Sequence, residues 1–139
     1  MRIRPYSTSD KDAVIDLWCR CELVRTWNDP ALDIERKLSV EDDGFFVGEI
    51  DGEIVGSIMV GYDGHRGWIN YLAVSPSYRR QKLGQLLMNM AEQVLIDRNC
   101  PKINLQLRTT NVDAAKFYRA IGYTEDQVIS FGKRLVVDE

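Results

Sequence analysis

The stretch from Trp68 to Leu95 constrains the fold most, because its hydrophobic period changes within a few residues. Trp68 to Val74 is a β-rich run that ends at Pro76. Leu83, Leu87, Met90, Ala91, Val94 and Leu95 then recur at three- and four-residue steps, the stripe of an amphipathic helix of about four turns. A strand running through a short basic loop into a long helix needs a sheet for the strand and a sheet face for the helix. The first amides of such a helix have no internal partner and carry partial positive charge. Arg79, Arg80 and Lys82 add full charge beside them. That arrangement suits a phosphate or pyrophosphate, although a solvated basic turn has the same composition.

The flanking sequence supplies the rest of a layered domain. Residues 2–5 read as a short strand, and Ser7 to Asp10 has capping-box spacing with Asp in place of Glu. Behind it Ala13, Val14, Leu17, Trp18 and Cys21 form a helical stripe. Asp29-Pro30 gives an N-cap and a first-turn proline, opening a second helix to about Val40. The runs 45–50 and 53–62 are joined by Asp51-Gly52, whose residues tolerate the positive φ of a two-residue hairpin turn. Residues 102–108 alternate as a strand. Asn111 caps a helix that stops at Gly122, and 128–136 reads as a last strand. The order βααβββαβαβ predicts an α/β fold: one domain over residues 1–139, a mixed sheet with helices on both faces.

Composition narrows the function classes. The 139 residues are 45 % hydrophobic, enough for a core, and the net charge of −3 argues against a nucleic-acid partner. No apolar run is long enough to cross a bilayer, and the first residues do not read as a signal peptide, so a cytoplasmic protein without membrane partners is expected. Cys19, Cys21 and Cys100 lack partners at zinc spacing and read as reduced thiols, so no metal is expected. No Gly-x-x-x-x-Gly-Lys-Ser/Thr string occurs, which excludes a P-loop nucleotide hydrolase.

Two motifs carry a family resemblance. Arg79-Arg-Gln-Lys-Leu-Gly84, preceded by Leu72-x-Val74, resembles the Arg/Gln-x-x-Gly-x-Gly/Ala pyrophosphate loop of the GNAT (Gcn-related N-acetyltransferase) family. Asn111-x-x-Ala114-x-x-Phe117-Tyr118-x-x-x-Gly122-Tyr123 resembles that family's Asn-x-x-Ala-x-x-Leu/Phe-Tyr-x-x-x-Gly-Phe segment. Lys82 departs, standing where the first loop glycine is usual: either the turn is not left-handed, or the lysine swings out and adds charge. Trp27-Asn-Asp-Pro30 and Gly61-Tyr-Asp-Gly-His-Arg-Gly67 are similar to strings of the YpeA group of small bacterial acetyltransferases.

The resemblance implies an acetyl-CoA-dependent N-acyltransferase acting on a primary amine, small molecule or peptide, by direct attack. A catalytically weak acyl-CoA sensor is the alternative, and a homodimer is left open. It implies cofactor contacts from Leu72, Ala73, Val74, Arg79, Arg80, Gln81, Lys82, Leu83, Gly84, Gln85, Asn111, Ala114 and Phe117, with Tyr118 as the acid that protonates the departing thiolate. The usual base positions hold Asn70, Tyr71 and Gln106, all uncharged, leaving Glu22, Asp29, Asp63 and above all His65 as candidates. Acceptor specificity is expected from the connection between the first two helices, with Arg25, Trp27, Asn28 and Asp29 as substrate-binding candidates.

Overall fold

Asp51 and Gly52 turn the chain with φ of 50° and 80°, so β2 (Phe45–Ile50) folds directly onto β3 (Glu53–Tyr62) as the dipeptide predicts. The computed structural model describes residues 1–138. Around this hairpin lie β1 (Arg2–Pro5), β4 (Gly67–Val74) and β5 (Ile103–Leu105), in the spatial order β1-β2-β3-β4-β5. Pairing is antiparallel through β4, and β5 joins β4 in parallel, so the sheet is mixed as expected. The parallel step needs a crossover. The long amphipathic helix α3 (Leu83–Asp97) provides it. Residues 1–105 with Asp138 form one compact unit, and residues 106–137 form a second.

Helices cover both faces of the sheet in the first unit. Successive strand residues point to opposite sides. Ser57 meets Trp18 of α1 (Lys11–Arg20), whereas a Cβ on the neighbouring Gly56 would come within 2.9 Å of Leu87 on α3. Glycine at 56 thus lets α3 lie close on the sheet. On the α1 side Val14, Leu17 and Trp18 pack with Ile34 of α2 (Pro30–Val40) and with Phe45, Val47, Ile54, Met59 and Ala73. On the other side Leu87, Met88 and Ala91 are fully buried. Both helix starts follow their sequence signals. Asp10 Oδ2 accepts the Ser7 amide at 2.8 Å, and Asp29 Oδ1 accepts from Ala31 and Leu32 ahead of Pro30.

The second unit carries α4 (Val112–Ala120), and here one expectation is corrected. Residues 128–136 form no strand among the described residues. Val128, Ile129, Phe131, Leu135 and Val136 are 63–88 % exposed, where a buried strand face was expected. β-prone residues favour an extended backbone, but a strand also needs a ladder partner, which one segment's sequence does not specify. Likewise only Ile103–Leu105 of the expected strand 102–108 is paired.

Candidate active site

The basic loop folds as a series of backbone reversals. Pro76–Tyr78 form one 3-10 turn, Arg79 is extended, Arg80 has φ 67°, and Lys82 sits at φ 60°, ψ 22° as the residue before α3. The turn at Lys82 is therefore left-handed, the conformation that a glycine would adopt without strain. Lys82 and both arginines are exposed, and among the described residues no side chain caps α3. The first helical bond is Leu86 N–H to the Lys82 carbonyl, which leaves the amides of Leu83, Gly84 and Gln85 outside the helical ladder. Three amides, a helix dipole and three cations converge on one exposed loop, a fit for a pyrophosphate.

Lys82→Gly tests how the lysine contributes. Glycine relieves the left-handed strain but raises unfolded-state entropy, so stability should move by less than about 1 kcal/mol. Acetyl-CoA affinity should fall by no more than about tenfold, or about 1.4 kcal/mol. Isothermal calorimetry measures it, and a much larger loss makes the ammonium itself a phosphate ligand.

Upstream, β4 is irregular where it approaches the loop. Met59 pairs with Asn70 but Ser57 pairs with Ala73, so β4 spends three residues where β3 spends two. Tyr71 absorbs the extra residue at φ 52°, a left-handed bulge built on an aromatic side chain. The β5 ladder ends at Ile69, so among the described residues Tyr71 and Leu72 have no ladder partner on either side. Three contacts hold Tyr71. Ser57 Oγ donates to its carbonyl at 2.8 Å, the Trp18 ring stacks on its ring at 3.8 Å, and its hydroxyl donates to Asp33 Oδ2 at 2.6 Å. Burial first, then Asp33, pushes the phenol's pKa well above its ordinary value.

Through Tyr71 the helix connection reaches the sheet. Asn28 lies close to the Tyr71 hydroxyl, and Asp29 caps α2 while its own amide donates to Asp138 Oδ2 at 3.0 Å. Asp138, its side chain 2 % exposed, also receives both Arg36 amino groups at 2.7 and 3.0 Å. Arg25 donates to the Glu22 and Val24 carbonyls, and Trp27 is 39 % exposed. At the end of α1, Cys21 Sγ donates to the Val74 carbonyl at 3.3 Å and lies beside Arg79; burial pushes its thiol up, so it stays protonated. Sequence reasoning set the cysteines outside the site and did not single out Ser57 or Asp138. Only the apolar surroundings of Ser57, a hydroxyl inside a strand of Val, Ile and Met, offered a signal.

Two of the candidate bases, His65 and Asp63, lie apart from the bulge. His65 is exposed in the β3–β4 turn, with its amide donating to Asp63 Oδ1. Five strand residues separate that turn from Leu72, roughly 15 Å. Asp63 is occupied there: the Arg66 and His65 amides and the Trp68 indole hold its carboxyl below the usual range. Glu22 follows α1 with φ 59° and is exposed.

The second motif is built wholly within α4. Asn111 Oδ1 caps the helix by accepting the Ala114 amide at 3.1 Å. The C-terminus closes with Tyr123 N–H to the Tyr118 carbonyl at 2.9 Å and Gly122 N–H to Arg119 at 3.1 Å, with Gly122 at φ 102°. Tyr118 is 8 % exposed and packs edge-on against Phe117 and Tyr123, at 5.0 and 5.7 Å between centroids. Burial pushes its pKa up to about 12. Such a phenol is a neutral proton donor throughout the physiological range. Among the described residues no group of three or more His, Cys, Asp or Glu is placed to hold a metal, and no helix is long and apolar enough to cross a membrane.

Comparison with known proteins agrees with this architecture. The sequence model of the acetyltransferase (GNAT) family matches residues 11–123. Acetyltransferase SG1711 of Sodalis glossinidius is 49 % identical over 140 residues, covering 100 % of this chain and 99 % of its own. Acetyltransferase ECA0875 of Pectobacterium atrosepticum is 48 % identical, covering 99 % and 98 %. Among solved structures, the PaiA N-acetyltransferase of Thermoplasma acidophilum in complex with coenzyme A superposes with a TM-score of 0.76 at 16 % identity, covering 92 % of each chain. The aminoglycoside N-acetyltransferase AAC(6')-Iy, bound to a bisubstrate analogue, gives 0.74 at 19 % identity, covering 96 % and 97 %.

Proposed function

The chain belongs to the GNAT family of acetyltransferases, and we propose that it moves an acetyl group from acetyl-CoA to a primary amine by direct attack in a ternary complex. The uncapped start of α3 behind a left-handed Lys82 supports the cofactor half of this reading most strongly. Acetyl-CoA supplies the activated acyl group as cosubstrate. In this proposal Arg79, Arg80, Gln81, Lys82, Leu83, Gly84 and Gln85 hold the pyrophosphate through amides and charge. Leu72, Ala73 and Val74 offer the β4 edge to the amide-bearing arm, and Asn111, Ala114 and Phe117 are proposed as further cofactor contacts. Tyr118 holds the proton that the departing sulfur requires.

Arg25, Trp27, Asn28 and Asp29 are proposed to meet the acceptor, a small molecule or a peptide N-terminus. His65 is not carried into the chemistry, because its turn lies at the other end of β4. An acceptor amine with a pKa near 8 needs little help to lose its proton. We take residues 1–139 as one functional domain, cytosolic and allied with the YpeA group, as monomer or homodimer.

A CoA-release assay with acetyl-CoA and a panel of polyamines, amino acids, aminoglycosides and N-terminal peptides tests the proposal. Turnover with at least one amine is expected, together with a melting temperature that rises with acetyl-CoA concentration. Stabilisation without turnover on any amine identifies a sensor instead, and no stabilisation at millimolar acetyl-CoA refutes the cofactor site.

A further inference from the structure

We infer that Ser57 is a positioning residue for acetyl transfer, setting the backbone of the β4 bulge from the buried side of the sheet. Ser57 is 0 % exposed in the middle of an otherwise apolar strand. Its hydroxyl is fully committed: it accepts the Trp18 indole N–H at 2.9 Å and donates to the Tyr71 carbonyl at 2.8 Å. That carbonyl belongs to the one β4 residue with positive φ, which for a bulky aromatic costs of order 1–3 kcal/mol and persists only where its surroundings over-determine it. The Trp18 ring stacked on Tyr71 and the Asp33 bond to its hydroxyl fix the side chain. Ser57 alone among these holds the peptide group that joins Tyr71 to Leu72. The orientation of that peptide aims the off-ladder backbone of β4 at whatever lies along its edge.

The inference rests on the reading that Leu72–Val74 receive the cofactor. If so, the aim of the bulge peptides bears on the arm that carries the acyl group more than on the nucleotide end, which is assigned in the same reading to the first turn of α3. Ser57→Ala leaves the indole and the carbonyl without their hydroxyl. The Tyr71–Leu72 peptide is then free to rotate.

The experiment compares wild type with Ser57→Ala, and with Trp18→Phe, which keeps an aromatic ring but removes the donor that orients the hydroxyl. Calorimetry with CoA and with acetyl-CoA, amide exchange at Tyr71–Ala73 and steady-state kinetics are measured on each. For Ser57→Ala, kcat/KM for acetyl-CoA should fall about ten- to a hundredfold while CoA affinity holds within about twofold. Amide exchange at Tyr71–Ala73 should accelerate in the unliganded protein, a readout independent of turnover. Trp18→Phe should shift both in the same direction by a smaller factor, and carries the test if Ser57→Ala does not fold. A lowered melting temperature with unchanged kcat/KM and unchanged exchange makes Ser57 a packing residue and overturns the inference. Failure of the wild type to bind CoA at all overturns the underlying cofactor reading instead.

Discussion

Gly84→Glu is expected to abolish stabilisation by acetyl-CoA while leaving the unliganded protein intact. Gly84 is the second residue of α3, half-buried, in the turn whose amides are outside the helical ladder. A glutamate in a first helical turn is favourable for the helix itself, through its propensity and the dipole, by about 0.5–1 kcal/mol each. An unliganded melting temperature at the wild-type value shows that loss of binding in this variant is not a damaged fold. Its carboxylate would meet a pyrophosphate at close range, in the place where the wild type offers amides and positive charge. At a hundredfold excess over Kd a ligand stabilises the native state by about 2.7 kcal/mol, which should vanish in the variant. Thermal melts with and without millimolar acetyl-CoA measure it directly. A normal shift in the variant moves the phosphate loop elsewhere.

Much of this fold was legible because its signals are local. Asp51-Gly52 needs positive φ at both positions, and Asp29-Pro30 and Asn111 are caps whose bonds close within three residues. Gly122 likewise ends α4 with the bonds that a C-terminal glycine permits. What stayed hidden depends on partners distant in sequence. Tyr71 carries no mark of a bulge; its positive φ comes from Trp18, Ser57 and Asp33, which lie 53, 14 and 38 residues away. Asp138 lies 102 residues from the arginine it pairs with. Lys82 shows the same limit within a motif, since a lysine at a glycine position does not by itself say whether the backbone or the side chain yields. The backbone kept the left-handed turn. The misjudged segment 128–136 failed in the opposite direction: its apolar, β-branched ends suited a strand, but pairing is a property of two segments.

Tyr118→Phe should lower turnover by roughly 10²–10⁴-fold, about 2.7–5.5 kcal/mol of barrier, with acetyl-CoA affinity nearly constant. The ring is held from three sides: by the helix, by Phe117, and by Tyr123 packed across the closing turn of α4. Phenylalanine keeps those contacts, so the fold should survive and the change isolates the hydroxyl. Burial raises the phenol's pKa to about 12 because the phenolate would be desolvated. The sign matters for pH. A raised pKa keeps the group protonated at all working pH values, so Tyr118 contributes no falling limb to the rate profile below about pH 11. A rising limb, where present, belongs to the acceptor amine losing its proton. The Phe variant should therefore lie below wild type by the same factor from about pH 6 to 9, with the limb unmoved. A hydroxyl that only packs predicts the wild-type rate and at most a small loss of stability. A shifted limb would instead make Tyr118 part of acceptor deprotonation. Turnover across pH and cofactor affinity, measured on one preparation with a working amine, separate these outcomes, and an unaltered rate in the Phe variant removes Tyr118 from the mechanism.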